Sequence, residues 1–164
     1  MIRLILLALT FTWANSSFSQ TYQPEKFQNL VIRNVGPANM SGRITSIDVA
    51  DDDTKTIYVG AASGGVWKSE NGGTAWRSIF DDAPTQNVGA VAIQPDNPDV
   101  VWVGTGEGNP RNSMNLGQGL FRSLDAGNTW GLVGLEETKT IHRILVDPND
   151  GNVVYVGAMG DPFS

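Results

Sequence analysis

The sequence predicts an all-β protein built from repeated four-stranded antiparallel units, and three observations support this prediction. Nineteen glycines and eight prolines among 164 residues favour short strands joined by turns. A strand that ends in Val-Gly occurs three times, as "IYVG", "VWVG" and "VYVG". A polar turn closed by tryptophan occurs twice, as "SENGGTAW" and "SLDAGNTW". Four short strands in each unit of about 40 to 55 residues are typical of a β-propeller blade.

Each unit contains the same strands in the same order. The first strand is predicted at residues 44–49, 90–93 and 141–146. An acidic or Pro/Asn turn then leads into the Val-Gly strand. A third strand is predicted at residues 66–68 and 120–122, and a fourth begins at the tryptophan of each polar turn. Because short connections join neighbouring strands, we expect antiparallel meanders.

These units define the predicted domain organisation. The first blade covers about residues 42–80, the second about 87–134, and an incomplete third about 140–164. A propeller needs at least about four blades to close its ring. About two and a half blades therefore predict an open, partial β-propeller and a fragment of a longer protein. Open strand edges favour pairing with other chains, so we expect association through them.

The N-terminal segment "MIRLILLALTFTWANSSFSQ" has the features of a secretory signal. Arg3 supplies a positive charge, an apolar run of about ten residues follows, and Ser17-Phe18-Ser19 is a small-x-small cleavage pattern. The apolar run is too short to span a bilayer. We predict a signal peptide at residues 1–19 and an exported, periplasmic or extracellular mature chain at 20–164, with no membrane span after cleavage.

The charge balance excludes one class of partner. Eleven basic and 17 acidic residues give a formal net charge of -6, which would repel a polyanion, so nucleic acid is not an expected partner. The run Asp51-Asp52-Asp53 lies on a predicted turn, where consecutive carboxylates are usually solvated. With one histidine, no cysteine and no phosphate-binding glycine motif, the sequence predicts no metal and no cofactor.

The two polar turns resemble the Asp-box, or bacterial neuraminidase repeat, with the pattern Ser-x-Asp-x-Gly-x-Thr-Trp. The second octad matches at every fixed position: Ser123, Asp125, Gly127, Thr129 and Trp130. The first octad keeps Ser69, Gly73 and Trp76 but has Asn71 and Ala75 in place of the aspartate and threonine. With "VGPANMSGRI" and "GTGEGNPRNS", the chain resembles exported bacterial proteins with sortilin-like, glycosyl hydrolase-like propeller domains.

The connections of a four-stranded meander alternate between two ends, so sequence position assigns each loop to one end. The octads are third-to-fourth turns, which predicts a structural role away from the ligand-binding end. The opposite end is predicted to carry the ligand-binding candidates Arg43, Glu107, Asn109, Arg111 and His142. Guanidinium and amide groups suit paired hydrogen bonds to a sugar or a peptide backbone. The alternative is that these residues order a long loop.

The sequence offers few candidates for catalysis. Glycoside hydrolysis requires two carboxylates across a cleft, and the predicted ligand-binding end offers Glu107 and Asp161. Xyloglucanase-type propellers resemble the chain around "YVGAASGGVWKS", and the resemblance implies a catalytic aspartate at the position of Ala62. The sequence therefore favours a binding module for glycan, peptide or protein, with no activity in this chain. The alternative is part of a glycoside hydrolase.

Overall fold

The computed structural model describes residues 42–109 and 114–161. These residues form ten β-strands and one turn of 3-10 helix at Glu136–Thr138, which confirms the all-β prediction. The strands are β1 (Ile44–Val49), β2 (Ile57–Ala61), β3 (Gly65–Ser69), β4 (Arg77–Ser78), β5 (Val88–Gln94), β6 (Asn97–Thr105), β7 (Leu120–Ser123), β8 (Gly131–Gly134), β9 (Thr140–Asp147) and β10 (Asp150–Met159). The predicted signal peptide lies outside the described residues. Within those residues, no helix is long and apolar enough to cross a membrane.

The strands form three antiparallel sheets in the order that the repeat predicts. Strands β1–β4 and β5–β8 are four-stranded meanders, and β9 pairs with β10. The Val-Gly strands are the second strands of their sheets, and β4 and β8 each begin one residue after Trp76 and Trp130. The fold is the predicted partial β-propeller, with two four-stranded blades and a third blade of which the described residues form two strands.

The first blade packs on the second through an apolar core and through polar bonds from β1 to β5. Thr45 Oγ1 donates to Val88 O at 2.9 Å, and Asp48 Oδ2 accepts a hydrogen bond from Ile93 N at 2.7 Å. The core contains Ala50, Tyr58, Val66, Ile79, Phe80, Val88, Val91, Ile93, Val101, Val103 and Phe121. The two blades therefore share one hydrophobic core.

The glycines of the Val-Gly strands set the spacing between blades. A Cβ on Gly60 would lie 2.7 Å from a Val88 methyl group on the second blade. A Cβ on Gly104 would lie 2.3 Å from Ile141 Cγ2 on the third blade. The second interface is smaller and contains Ala90, Ala92, Val100, Trp102, Leu120, Ile141 and Ile144. Any side chain at these glycines would push neighbouring blades apart.

The connections alternate between two ends, as the meander predicts. We call the end with the β2–β3, β4–β5, β6–β7 and β8–β9 connections the upper end and the opposite end the lower end. At the lower end, Gly72 N donates to Lys55 O at 3.0 Å and Ala126 N donates to Asp99 O at 2.8 Å. These bonds tie the first octad to the β1–β2 turn and the second octad to the start of β6.

The second octad is a turn held by its own side chains. Ser123 Oγ donates to Asp125 Oδ1 at 2.7 Å and accepts a hydrogen bond from Gly127 N at 2.8 Å. Asp125 also accepts from Thr129, through the backbone N at 2.8 Å and through Oγ1 at 2.6 Å. These bonds are local, so the turn is specified by the octad sequence itself.

The first octad adopts the same turn without a carboxylate. Asn71 Oδ1 accepts from Ser69 Oγ at 3.0 Å and from Ala75 N at 2.8 Å, and Gly73 N donates to Ser69 Oγ at 2.8 Å. An amide oxygen accepts these bonds as a carboxylate oxygen does. The two departures from the octad pattern, Asn71 and Ala75, therefore leave the turn intact.

Acid is expected to weaken the second octad. Hydrogen bonds from the Thr129 hydroxyl, the Thr129 amide and Ser123 lower the pKa of Asp125 to about 2. An unfolded aspartate titrates near 3.9, so the ionised carboxylate stabilises the folded protein above about pH 4, and this contribution is lost as the pH falls through about 2. Urea denaturation between pH 6 and pH 2 should show a larger loss of stability for the wild type than for Asp125→Asn. Equal losses in both proteins would contradict this role of Asp125.

The first and third blades each present an uncovered apolar face within the described residues. Ile47 of β1 is 62% exposed, whereas Val91, its counterpart in β5, is buried under the first blade. Tyr155 of β10 is also exposed, whereas its counterpart Trp102 in β6 is buried. An apolar cavity of about 590 Å³ on the first blade is lined by Gly42, Ile44, Ile47, Val59, Ala61, Trp67 and Trp76. Association through these faces stays a prediction.

Candidate functional site

Two of the predicted ligand-binding residues, Arg43 and Glu107, meet at the upper end. Arg43 Nε donates to Glu107 Oε1 at 2.8 Å and Arg43 Nη2 donates to Glu107 Oε2, so the guanidinium engages both carboxylate oxygens. The Glu107 side chain is fully buried, and the Arg43 side chain is 35% exposed. The pair joins the first blade to the second across 64 positions of sequence. We call it the Arg43–Glu107 clamp.

Backbone contacts hold both members of the clamp in place. Arg43 O accepts a hydrogen bond from Ala62 N at 2.8 Å, which ties the residue before β1 to the end of β2. Glu107 follows Gly106, whose φ of +87° favours glycine. Glu107 N donates to Asn115 O at 3.1 Å, so the loop after β6 folds back on itself. The clamp is therefore pre-organised by the ends of two Val-Gly strands.

Two further polar side chains flank the clamp, and neither was predicted from the sequence. Asn115 Nδ2 donates to Ser63 Oγ at 2.7 Å across 52 positions of sequence. Asn115 belongs to the loop that the second blade has and the first blade lacks. Comparison of the two repeats could therefore have identified it. Ser63 lies in a short turn between β2 and β3 and carries no such signal.

The other three predicted ligand-binding residues are Asn109, Arg111 and His142. The side chain of His142 lies against Gly108, where an added Cβ would be 2.4 Å from His142 Cβ. His142 and Asn109 are both exposed. His142 therefore borders the loop that carries Glu107. Arg111 lies outside the described residues.

The clamp, Ser63, Asn115 and His142 form a polar cluster that presents hydrogen-bond donors to solvent, while the Glu107 carboxylate is buried. Arg43, Asn115 and His142 contribute a partly exposed guanidinium, an amide and an imidazole. Glu107 is bound through both oxygens, so its role in this arrangement is to position Arg43. Among residues 42–109 and 114–161, no group of three or more His, Cys, Asp or Glu side chains is arranged to hold a metal ion. The chemistry of the cluster suits binding of a hydroxyl-rich or carbonyl-rich ligand.

Comparison with known proteins relates the chain to xyloglucanases. It is 27% identical over 146 residues to a xyloglucanase of Paenibacillus sp., in an alignment that covers 77% of this chain and 13% of that protein. Its fold is similar to that of the GH74 enzyme of Niastella koreensis, with a TM-score of 0.54 and 18% identity over 70% of the chain. It is also similar to an ancestral GH74 enzyme, with a TM-score of 0.59 and 19% identity over 73% of the chain. No family model matches the chain.

The chain is similar to glycoside-hydrolase β-propellers, and it spans 17% of each of the two solved structures. At these identities the solved structures show the fold alone. The sequence match to a xyloglucanase favours the alternative, part of a glycoside hydrolase, over the main hypothesis of a sortilin-like binding module.

Proposed function

We propose that this chain is a segment of a glycoside-hydrolase-like β-propeller and that its upper end binds polysaccharide of the xyloglucan type. The match to a xyloglucanase and the fold of two GH74 enzymes support the class of ligand. The polar cluster around the Arg43–Glu107 clamp supports the location.

The observation that carries the proposal is the partly exposed guanidinium of Arg43. Because Glu107 holds it through two charge-assisted bonds, the group has lost most of its rotational freedom before any ligand binds. The pairing also fixes the direction of the Arg43 N–H groups that do not bond to Glu107. A fixed planar donor beside the Asn115 amide suits the hydroxyl pairs of a sugar ring.

We propose further that this segment contributes binding and leaves catalysis to other parts of the relatives. Ala62 occupies the position at which the resemblance to xyloglucanase-type propellers implies a catalytic aspartate, and its side chain is fully buried. Glu107 is also fully buried and bound to Arg43. Neither residue offers a solvent-facing acid that protonates a glycosidic oxygen.

We propose also that the octads are Asp-box turns and that the chain is exported. The hydrogen bonds shared by the two octads support their assignment as Asp-box turns. The residues of the predicted signal peptide support export, which would place the propeller where plant or microbial polysaccharide is found. Together these features describe an exported glycan-binding propeller segment.

The test is calorimetric titration of the full chain with xyloglucan oligosaccharides. Arg43→Lys keeps the positive charge near Glu107 but removes the planar fork, and we expect it to weaken binding about tenfold. Arg77→Lys is the matched control, because Arg77 is partly exposed and lies on β4, away from the upper-end cluster, and it should leave affinity unchanged. Absence of xyloglucan binding, or equal affinity in wild type and Arg43→Lys, would refute the proposal. Release of reducing sugar by this chain would refute its non-catalytic part.

A further inference from the structure

The second octad covers part of the first blade through specific contacts. Tyr58 Oη donates to Ala126 O at 3.1 Å, and Trp130 Nε1 donates to Ile79 O at 2.6 Å. Burial raises the pKa of the Tyr58 phenol, so its hydroxyl stays protonated and remains a donor. Gly127 lies so close to Ile79 that a Cβ would be 2.6 Å from Ile79 Cδ1. The second octad therefore packs on the first blade and forms hydrogen bonds with it.

The second blade repeats the aromatic part of this surface. Trp102 pairs with Arg122 across β6 and β7 in the same register as Tyr58 pairs with Lys68 across β2 and β3. The cation lies over the aromatic ring in both blades, at 5.4 Å for Lys68 Nζ and at 5.3 Å for Arg122 Cζ. Lys68 is buried, whereas Arg122 is exposed.

The apolar part of the surface is repeated as well. Val133 corresponds to Ile79, because each lies three residues after the tryptophan of its octad. Ile79 is 9% exposed and Val133 is 50% exposed. A groove of about 200 Å³ beside Val133 is lined by Arg122, Leu124, Thr129, Gly131, Leu132 and Val133. Arg122 and Val133 are thus exposed on the second blade, whereas their counterparts Lys68 and Ile79 are buried on the first.

The indole N–H of Trp102 independently supports the comparison of the two blades. Its side chain is 6% exposed and its indole Nε1 is buried, yet no described residue accepts a hydrogen bond from that nitrogen. A buried N–H without an acceptor is costly to the folded protein. Tyr58, at the same place in the first blade, donates a hydrogen bond to an octad carbonyl. The structure points to an octad carbonyl as the acceptor for Trp102 also.

We propose that Trp102, Arg122, Leu132 and Val133 form a docking site for a β-hairpin that carries an octad turn. The carbonyl of the fourth octad residue accepts from Trp102 Nε1, and the indole of the eighth donates to the carbonyl of Val133. The first strand of the hairpin pairs with β10, which is an edge strand among the described residues. That strand lies beside the exposed ring of Tyr155, as β3 lies beside Tyr58.

The probe is a synthetic peptide of residues 118–134, QGLFRSLDAGNTWGLVG, added to the isotope-labelled full chain. The indole N–H resonance of Trp102, identified by its loss in Trp102→Phe, is expected to shift and to exchange more slowly with solvent. Trp102→Phe should weaken peptide binding roughly two- to tenfold, as expected for one lost hydrogen bond. Val133→Asp alters an exposed residue, so the chain should fold and bind the peptide at least tenfold more weakly.

Trp76→Phe is the matched control, because the Trp76 indole bonds to Gly73 O within its own octad and lies on the first blade. It should leave peptide affinity unchanged. An equal shift of the Trp102 resonance with a scrambled peptide, or no shift with the octad peptide, would overturn the proposal. Self-association that Val133→Asp removes and the peptide does not displace would overturn it too, and would assign the surface to a second copy of the chain.

Discussion

Replacing Arg43 by alanine is expected to lower the free energy of unfolding by about 2–4 kcal/mol. The fully buried Glu107 carboxylate would lose both of its hydrogen bonds from the guanidinium. The 35% exposure of Arg43 keeps the expected cost below that of a fully enclosed pair. Urea denaturation followed by tryptophan fluorescence at pH 7 measures the difference.

Two further variants separate the clamp from the general effect of losing an arginine. Arg77→Ala removes a loose, exposed ion pair with Glu70 at 3.9 Å and should change the free energy of unfolding by less than about 0.5 kcal/mol. The double variant Arg43→Met with Glu107→Leu removes the buried charge together with its partner and should recover most of the loss. A loss for Arg43→Ala no larger than that for Arg77→Ala would show that the clamp does not stabilise the fold.

Replacing Phe80 by alanine is expected to lower the free energy of unfolding by about 3–5 kcal/mol. Phe80 is fully buried between the first two blades. Its ring meets Phe121 edge-on at a centroid distance of 5.5 Å and Trp130 edge-on at 5.1 Å. The substitution therefore removes both the buried area and two aromatic contacts. Thermal and urea unfolding of the variant measure the loss.

Leu124→Ala is the control for Phe80→Ala, because Leu124 is 63% exposed, and it should change the free energy of unfolding by no more than about 0.5 kcal/mol. Because the two blades share one core, wild type and Phe80→Ala should each unfold in a single transition of these blades. Two separate transitions in the wild type, with only one moved by Phe80→Ala, would contradict the shared core.

Much of the fold was predictable because its causes are local. The glycines and prolines between short apolar runs predict strands joined by turns, and the spacing of the Val-Gly repeats predicts four strands in each blade. The octads carry their own acceptors, Ser123 and Asp125 in one and Ser69 and Asn71 in the other, so their turns follow from eight residues of sequence. The alternation of connections then places the octads and the Arg43–Glu107 clamp at opposite ends.

The candidate site was predictable only as a set of residues at one end. That Arg43 and Glu107 share two hydrogen bonds depends on how the first blade stacks on the second. The same stacking brings Ser63 to Asn115, a contact that no repeat pattern predicts. Burial of Glu107 also changes its interpretation, because a fully enclosed and paired carboxylate positions its partner instead of meeting a ligand.

The sequence by itself determined the strands, their order within each blade and the octad turns, because short connections join neighbouring strands and turn side chains bond to their own backbone. The tertiary structure alone decided which residues meet between blades. Arg43 with Glu107, Tyr58 with Ala126 and the buried indole of Trp102 all depend on the distance and angle between stacked sheets. Those quantities are set by packing across the core, where the contacting residues lie far apart in sequence.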